Sequence, residues 1–258
     1  MLLAFTNHRS PGGWRCWIAA AAVFILSWLP SARAQDASVS GQIEIVETGA
    51  KNQANSAHHS NASSNAVVWL VSLPAKPDAL FAQRQRPPAQ LVQRNKSFEP
   101  HVLVVQVGTT VQFPNKDPFF HNVFSLFDGK RFDLGLYEAG SSNSVRFDRA
   151  GISFLFCNIH PEMSAVIIAV PTPYFASADT EGRWSIPSVP DGQYRLHLWY
   201  ERSSDETLAR VQSDVTVSHA SRTLQTIRIA ADAAPASAHK NKYGKDYIPP
   251  SSAAYANP

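Results

Sequence analysis

The sequence predicts an all-β protein built of two β-sandwiches. Short apolar runs recur along the chain, and turns rich in glycine, proline, asparagine and aspartate separate them. No helix of useful length fits the pattern of residues 91–170. Most of the 14 phenylalanines lie in this segment, and the core of a β-sandwich is their ordinary place.

The first 34 residues are predicted to be an export signal. Arg9 and Arg15 precede an apolar run at residues 17–29, and an Ala-x-Ala cleavage site ends at Ala34. A helix that crosses a bilayer needs roughly 20 apolar residues, so cleavage is favoured over an uncleaved anchor, which remains the alternative. We therefore expect a periplasmic or secreted protein, cut after Ala34, with no membrane span after cleavage.

Removal of the signal changes the charge and the cysteine content. Residues 1–34 hold three arginines and no acidic residue, so 20 basic and 20 acidic residues remain. This balance argues against nucleic acid as a partner. Cys16 leaves with the signal, and Cys157 becomes the single thiol. A single cysteine in an oxidising compartment is either a buried core residue or a metal ligand.

Two strands are predicted ahead of the central segment. Residues 39–46 alternate apolar and polar side chains, and residues 66–71 are apolar enough to be buried on both faces. The loop between them holds His58 and His59, which we interpret as solvated residues, with metal binding as the minor alternative. Residues 75–90 carry prolines and are predicted to be a connector.

Residues 91–170 form the predicted metal-binding segment. Pro114 ends one of its strands because it has no N–H for a ladder, and residues 125–144 are expected to be a long loop. The other apolar runs predict these strands: 103–107, 109–113, 122–124, 144–147, 151–156 and 164–170.

Cys157, His160 and Met163 follow directly after the predicted strand 151–156. One thiol, two imidazoles and a thioether are the donors of a blue-copper site, in which a Cys and two His surround the metal and a weak axial Met completes it. Pro161 stiffens the loop. His121, near another predicted strand, is the candidate for the remaining histidine. A buried core cysteine is the alternative that this donor set disfavours.

Two further residues of this segment are candidate ligands, Glu162 and His101. Glu162 lies inside the loop, but a carboxylate suits a harder ion, so Met163 is preferred as the axial group. His101, at the start of a strand, is interpreted as structural, and an auxiliary metal or proton role remains open.

The two motifs of the metal-binding segment resemble a known family. Val111-Gln-Phe-Pro-Asn with His121-Asn-Val, followed by Cys157-x-x-His160-Pro-x-Met163, resembles a cupredoxin of the plastocyanin/amicyanin type over residues 91–170. The resemblance implies a Greek-key β-sandwich with one type-1 copper per chain, cycling between Cu(I) and Cu(II) on His121, Cys157, His160 and Met163. It also implies that Asn122 braces the Cys-bearing loop by hydrogen bonds.

The last third of the chain resembles a second family. Asp179-Thr-Glu-Gly-Arg-Trp and Val189-Pro-Asp-Gly-Gln-Tyr194 are similar to the carboxypeptidase-regulatory-like (transthyretin-like) β-sandwich, which usually begins with strands like 39–46 and 66–71. We predict a discontinuous, smaller sandwich of residues 36–74 and 171–230 with the metal-binding segment inserted. In the alternative, the two early strands belong to the copper domain. Residues 231–258 are expected to be a flexible tail.

Single-electron transfer is the predicted function, and no enzyme activity is expected. The site has no obvious open position or acid–base partner, and the sequence has no His-x-His pair. The architecture is similar to secreted plastocyanin-like proteins labelled methylamine-utilisation proteins, and this implies a redox partner protein, or a copper donor or acceptor, in the periplasm. The alternatives are a copper-delivery protein without a redox role and a non-redox interaction module.

Overall fold

A computed structural model describes residues 38–47, 65–74, 88–126, 129–233 and 240–247. The chain divides into two units, Met1–Arg33 and Ala34–Pro258, and every described residue belongs to the second. The predicted signal peptide, the pair His58-His59 and most of the predicted connector lie outside the described residues. Among the described residues, no helix has the length and apolar character needed to cross a bilayer.

Strands dominate the described chain, as the period-two patterns predict. In chain order the elements are β1 (Val39–Glu47), β2 (Val67–Leu73), β3 (Ala89–Gln90), β4 (Val92–Arg94), β5 (Ser97–Glu99), β6 (Val102–Gln106), β7 (Thr110–Pro114), β8 (His121–Ser125), β9 (Phe132–Tyr137), β10 (Ser142–Arg146), β11 (Gly151–Phe156), β12 (Ser164–Val170), β13 (Phe175–Ser177), β14 (Arg183–Ile186), β15 (Gly192–Trp199), α1 (Asp205–Val211), β16 (Ser213–Val217) and β17 (Ile227–Ala231). The prediction of an all-β sandwich fold is confirmed.

The strands form four main sheets and one hairpin within the described ranges. Their orders are β6-β12-β11-β8-β9, β10-β7-β3, β13-β2-β15-β16 and β14-β1-β17, with β4 and β5 forming the hairpin. Strand β8, which begins with His121, and strand β11, which Cys157 follows, are neighbours in the five-stranded sheet.

Strand β12 lies between two hydrophobic cores. Its side chains alternate from one face to the other, so Ala165, Ile167 and Ala169 enter the core that also holds Cys157. Val166 and Ile168 enter the second core, shared with strands of the last third of the chain. Burial on both faces explains why this run is apolar at almost every position.

The two early strands pair with the last third of the chain. β1 is antiparallel to β14 and parallel to β17, and β2 is antiparallel to β13 and β15. The discontinuous sandwich requires pairing of this kind. The domain boundaries themselves stay a prediction.

One predicted loop contains a strand. Within residues 125–144, β9 pairs with β8 and has a register shift between Asn122 and Phe124. Phe132 and Leu134 pack against the core around Cys157, but Gly135 interrupts the run, and glycine weakens the strand signal of a sequence. The hairpin β4–β5 and the helix α1 were also not predicted.

Candidate metal centre

The donor residues lie at the ends of two neighbouring strands. His121 begins β8, and Cys157 follows β11, with Phe124 paired to Phe156 between the two strands. The loop after β11 is closed by two backbone hydrogen bonds: Cys157 N–H donates to the carbonyl of Met163 at 3.3 Å, and Met163 N–H donates to the carbonyl of His160 at 3.1 Å. These bonds turn His160 back towards Cys157.

Three donor atoms face one another and form what we call the donor triangle. The Sγ atom of Cys157 lies 3.8 Å from Nδ1 of His121 and 3.6 Å from Nδ1 of His160, and the two Nδ1 atoms are 3.1 Å apart. A triangle with these sides has a centre about 2.0 Å from each corner, close to the metal–nitrogen and metal–thiolate lengths of about 2.0–2.3 Å at protein zinc sites. The donor triangle therefore fits a metal ion in size and in donor type.

Asp117 sets the proton on His121. Its Oδ2 lies 2.8 Å from Nε2 of His121, and both side chains are buried. An ionised carboxylate can only accept a hydrogen bond, so Nε2 carries the proton and Nδ1 presents its lone pair to the donor triangle. A carboxylate behind a histidine is a common way to orient a metal-binding imidazole.

Asp117 is itself held by backbone groups of the β4–β5 turn. Its Oδ1 accepts the N–H of Asn95 at 2.6 Å, and Oδ2 accepts the N–H of Lys96 at 2.9 Å. Both turn residues have positive φ, 52° and 53°, and this aims their N–H groups at one point. Burial alone would raise the pKa of Asp117, but these N–H groups and His121 together hold the pKa below its usual value.

The electrostatics of the other two donors favour neutral forms in the metal-free protein. Burial raises the pKa of the Cys157 thiol, although backbone N–H groups of Asn122, Ile159 and His160 favour the thiolate. Burial, followed by the nearby His121, lowers the pKa of His160. Neutral imidazole is the form that binds a metal, and a metal ion would promote loss of the thiol proton.

An aromatic side chain covers the two histidines. The ring centre of Phe119 lies 5.2 Å from that of His121 and 5.5 Å from that of His160. Cys157 and His121 have no exposed surface, and His160 has 8%. The donor triangle is thus shielded from water, and His160 is the donor closest to solvent.

The donor triangle does not include the other residues discussed as ligands, Met163, Glu162 and His101. Met163 is fully buried in the same core as Cys157, which suits an axial ligand, but that role stays a prediction. Glu162 is exposed. His101 lies outside the donor triangle, where its Nδ1 is 3.1 Å from the carbonyl of Ser164 and its Nε2 is 2.7 Å from Glu201. These two hydrogen-bond partners support the interpretation of His101 as a structural residue.

Asn122 contacts Cys157 through its backbone N–H, and its side chain does not make the expected contact with the Cys-bearing loop. Its side-chain amide donates to Asp133 Oδ1 at 2.7 Å and to the carbonyl of Gly135 at 2.9 Å, both on β9. The side chain braces β9, a strand within the segment that was expected to be a loop. The backbone N–H of Asn122 is the part that faces the sulfur.

Sequence reasoning missed Asp117 and Phe119. Both precede His121 in a segment interpreted simply as a loop. A carboxylate four residues before a candidate ligand is a usable signal, since carboxylates often orient metal-binding histidines. Its distance from His121 in space, however, depends on the conformation of residues 115–120.

Comparison with known proteins gives partial likenesses. A copper-containing nitrite reductase from Thermus scotoductus SA-01 is similar to 33% of this chain, with 27% identity and a TM-score of 0.32, and the chain covers 23% of that protein. A purple cupredoxin from Nitrosopumilus maritimus has 24% identity over 32% of this chain and 99% of its own, with a TM-score of 0.30. An oxidised amicyanin mutant has 22% identity over 34% and 88%, with a TM-score of 0.31.

Comparison by family and by curated sequence adds one match. The model described as polysaccharide lyase family 4, domain II, matches residues 172–226, and no curated protein matches the chain. No family model of the carboxypeptidase-regulatory-like type matches residues 172–226, so that resemblance stays a prediction. The likenesses are all local, so the donor triangle itself carries the functional proposal.

Proposed function

We propose that this protein binds one type-1 copper per chain and transfers single electrons. His121, Cys157 and His160 would hold the metal, and Met163 would be its axial ligand. The observation that carries the proposal is the donor triangle, in which one thiol and two imidazoles converge at metal-binding distance. A copper ion on such donors supplies a one-electron redox couple.

The surrounding residues suit this role. Asp117 keeps the Nδ1 lone pair of His121 directed at the metal, and Phe119 and the buried core keep water away from the sulfur. His160 is the donor with exposed surface, so we propose that electrons enter and leave on its side. We assign no catalytic role, because the converging side chains are all used to hold the metal.

The proposed setting is the periplasm or the exterior of the cell, reached through cleavage after Ala34. The proposed partner is a redox protein, or a copper donor or acceptor, in the same compartment. N-terminal sequencing of the exported protein tests the cleavage: an N-terminus at Gln35 is expected, and retention of residues 1–34 would contradict it.

The visible and EPR spectra of the mature protein with Cu(II) test the metal site. We expect an intense thiolate-to-copper band and a narrow copper hyperfine splitting, both absent from Cys157→Ser. His101→Gln is the matched control because His101 lies outside the donor triangle, and it should leave both signals unchanged. A pale spectrum that Cys157→Ser does not change would place the copper elsewhere and overturn the proposal.

Copper delivery without redox cycling is the closest alternative. It predicts fast transfer of Cu(I) to a chelator of moderate affinity, whereas an electron carrier should retain Cu(I) and show reversible voltammetry. The buried position of Cys157 and His121 favours retention, since release would require the loop to open.

Carbohydrate binding by the second sandwich is a further candidate function. A groove of about 710 Å³ lies beside β1 and β14 and is lined by Gln42, Asp179, Arg183 and other residues. Much of it belongs to the segment matched by the polysaccharide lyase domain. Retarded migration in gels that contain soluble polysaccharides would support this function, and Gln42→Ala should abolish the retardation. Unchanged migration across neutral and acidic polysaccharides would exclude it.

A further inference from the structure

Residues 240–247 contact the metal-site loop, although the sequence places them in a tail expected to be flexible. The hydroxyl of Tyr247 donates to the carbonyl of Cys157 at 2.7 Å. The backbone N–H of Lys242 donates to Oδ1 of Asn158 at 3.0 Å. The segment thus bonds to two consecutive residues of the loop, one of them a donor residue.

The same segment also reaches the strand that carries His121, through an intermediate residue. Lys242 Nζ lies 2.8 Å from Asp133 Oδ2, and the other oxygen of Asp133 accepts the side-chain amide of Asn122 at 2.7 Å. Asn122 follows His121 directly. Lys242 therefore connects the Cys157 loop with the β8–β9 pair, and each of these supplies part of the donor triangle.

A turn within residues 240–247 presents these groups. The Asn241 side chain accepts the N–H groups of Tyr243 and Lys245 at 3.0 and 3.1 Å, and Gly244 adopts the φ of 73° that the turn needs. The backbone carbonyl of Asn241 accepts the N–H of Gly244 at 2.9 Å. Because these hydrogen bonds fix the conformation of the turn, Lys242 loses little further conformational entropy when it contacts Asn158 and Asp133.

We propose that residues 240–247 form a C-terminal clip that holds the two donor-bearing segments together, with Lys242 and Tyr247 as positioning residues of the metal centre. The identity of the metal rests on the proposed function, but the effect on the metal-free protein does not. The clip restrains Cys157 and Asn158, so it limits how far the loop can move when no metal ties it to His121.

Hydrogen exchange of the metal-free, full-length mature protein tests the clip. The readout is the exchange rate of the loop from Cys157 to Met163, measured by mass spectrometry, in Tyr247→Phe, Lys242→Met and the double variant. One lost hydrogen bond should speed local opening by about 2- to 10-fold. Lys245→Met is the matched control because Lys245 lies in the same turn with an exposed side chain, and it should exchange like the unaltered protein.

Rescue and the spectrum of the copper form separate positioning from general stability. Lys242→Arg keeps the charge opposite Asp133 and should restore most of the protection that Lys242→Met loses. In the copper form, Tyr247→Phe should shift the thiolate band or the reduction potential, whereas Lys245→Met should not. Exchange rates that are unchanged in the double variant, or raised equally by Lys245→Met, would overturn the clip. Failure of all variants and of the unaltered protein to show a thiolate band would overturn the proposed function instead, because the exchange rates need no metal.

Discussion

Asp117 and His121 form a buried carboxylate–imidazole pair whose geometry decides which nitrogen faces the donor triangle. The Oδ2–Nε2 distance is 2.8 Å, and the exposed side-chain fractions are 5% and 0%. Because Asp117 also accepts two backbone N–H groups, it cannot turn away from His121 without leaving them unpaired. The tautomer of His121 is therefore set before any metal binds.

Asp117→Asn should weaken metal binding by about 10- to 100-fold. An amide has one acceptor oxygen, so its NH2 group must face one of the N–H donors that Asp117 accepts. If the NH2 group faces His121, Nε2 can accept its hydrogen bond only when the ring proton moves to Nδ1. A proton on Nδ1 blocks the atom that would bind the metal. Competition with a chelator for Cu(I), and separately for Zn²⁺, measures the change.

Asp148→Asn is the matched control for this substitution. Asp148 is an exposed carboxylate paired with Lys130, and its loss should leave metal affinity unchanged. Equal affinities for Asp117→Asn and Asp148→Asn would show that the carboxylate does not orient the donor.

Phe119→Ala should expose Cys157 to reagents in the metal-free protein. The ring of Phe119 lies against both histidine rings, so its removal opens a path to the sulfur, and we expect alkylation by iodoacetamide to be severalfold faster. The neighbouring Phe120 is 55% exposed, so Phe120→Ala should react like the unaltered protein. Similar rates for both variants would mean that Phe119 does not shield the site.

His101 should contribute a pH-dependent stability through Glu201. Its two ring nitrogens face a carboxylate and a carbonyl, and both are acceptors, so the imidazolium is the form that satisfies them. The hydrogen bond to Glu201 raises the pKa of His101 despite the opposing effect of burial. A raised folded-state pKa gives stability that is complete below the unfolded value of about 6.5 and is lost as the pH rises through the folded value.

Urea unfolding of metal-free Glu201→Gln at pH 5.5 and pH 9 tests this dependence. The loss in free energy of unfolding should be about 1 kcal/mol or less at pH 5.5, since His101 is partly exposed and water screens the pair. It should be smaller at pH 9. Glu99→Gln, which breaks an exposed pair with Arg94, should show the same loss at both values. A loss for Glu201→Gln that grows with pH would contradict the assignment.

Gly182→Ala should strongly destabilise the packing of β1 against the turn before β14. Gly182 has a φ of 76°, and a Cβ there would overlap the carbonyl oxygen of Ile43 on β1. Positive φ costs a non-glycine residue about 1–2 kcal/mol, and overpacking typically adds about 1–3 kcal/mol. Gly140 has a φ of 78° and open space around it, so Gly140→Ala should show the first cost alone. Equal losses in urea unfolding would mean that β1 does not pack against this turn.

Local patterns in the sequence predicted the strands that carry the site. Residues 151–156 and 164–170 are strands with the predicted bounds, because uninterrupted β-branched and aromatic runs favour the extended chain. β9 was missed because Gly135 breaks its pattern, and the hairpin β4–β5 because its strands are only three residues long.

The sequence by itself determined the all-β class and the close spacing of Cys157, His160 and Met163, the predicted donors, because strand period and loop spacing are properties of neighbouring residues. The tertiary structure alone decided that Asp117 stands behind His121, that β1 runs parallel to β17, and that Tyr247 reaches the carbonyl of Cys157. Tyr247 and Cys157 are separated by 90 residues along the chain. Such contacts depend on how whole sheets pack, and no pattern within a short window of sequence records that packing.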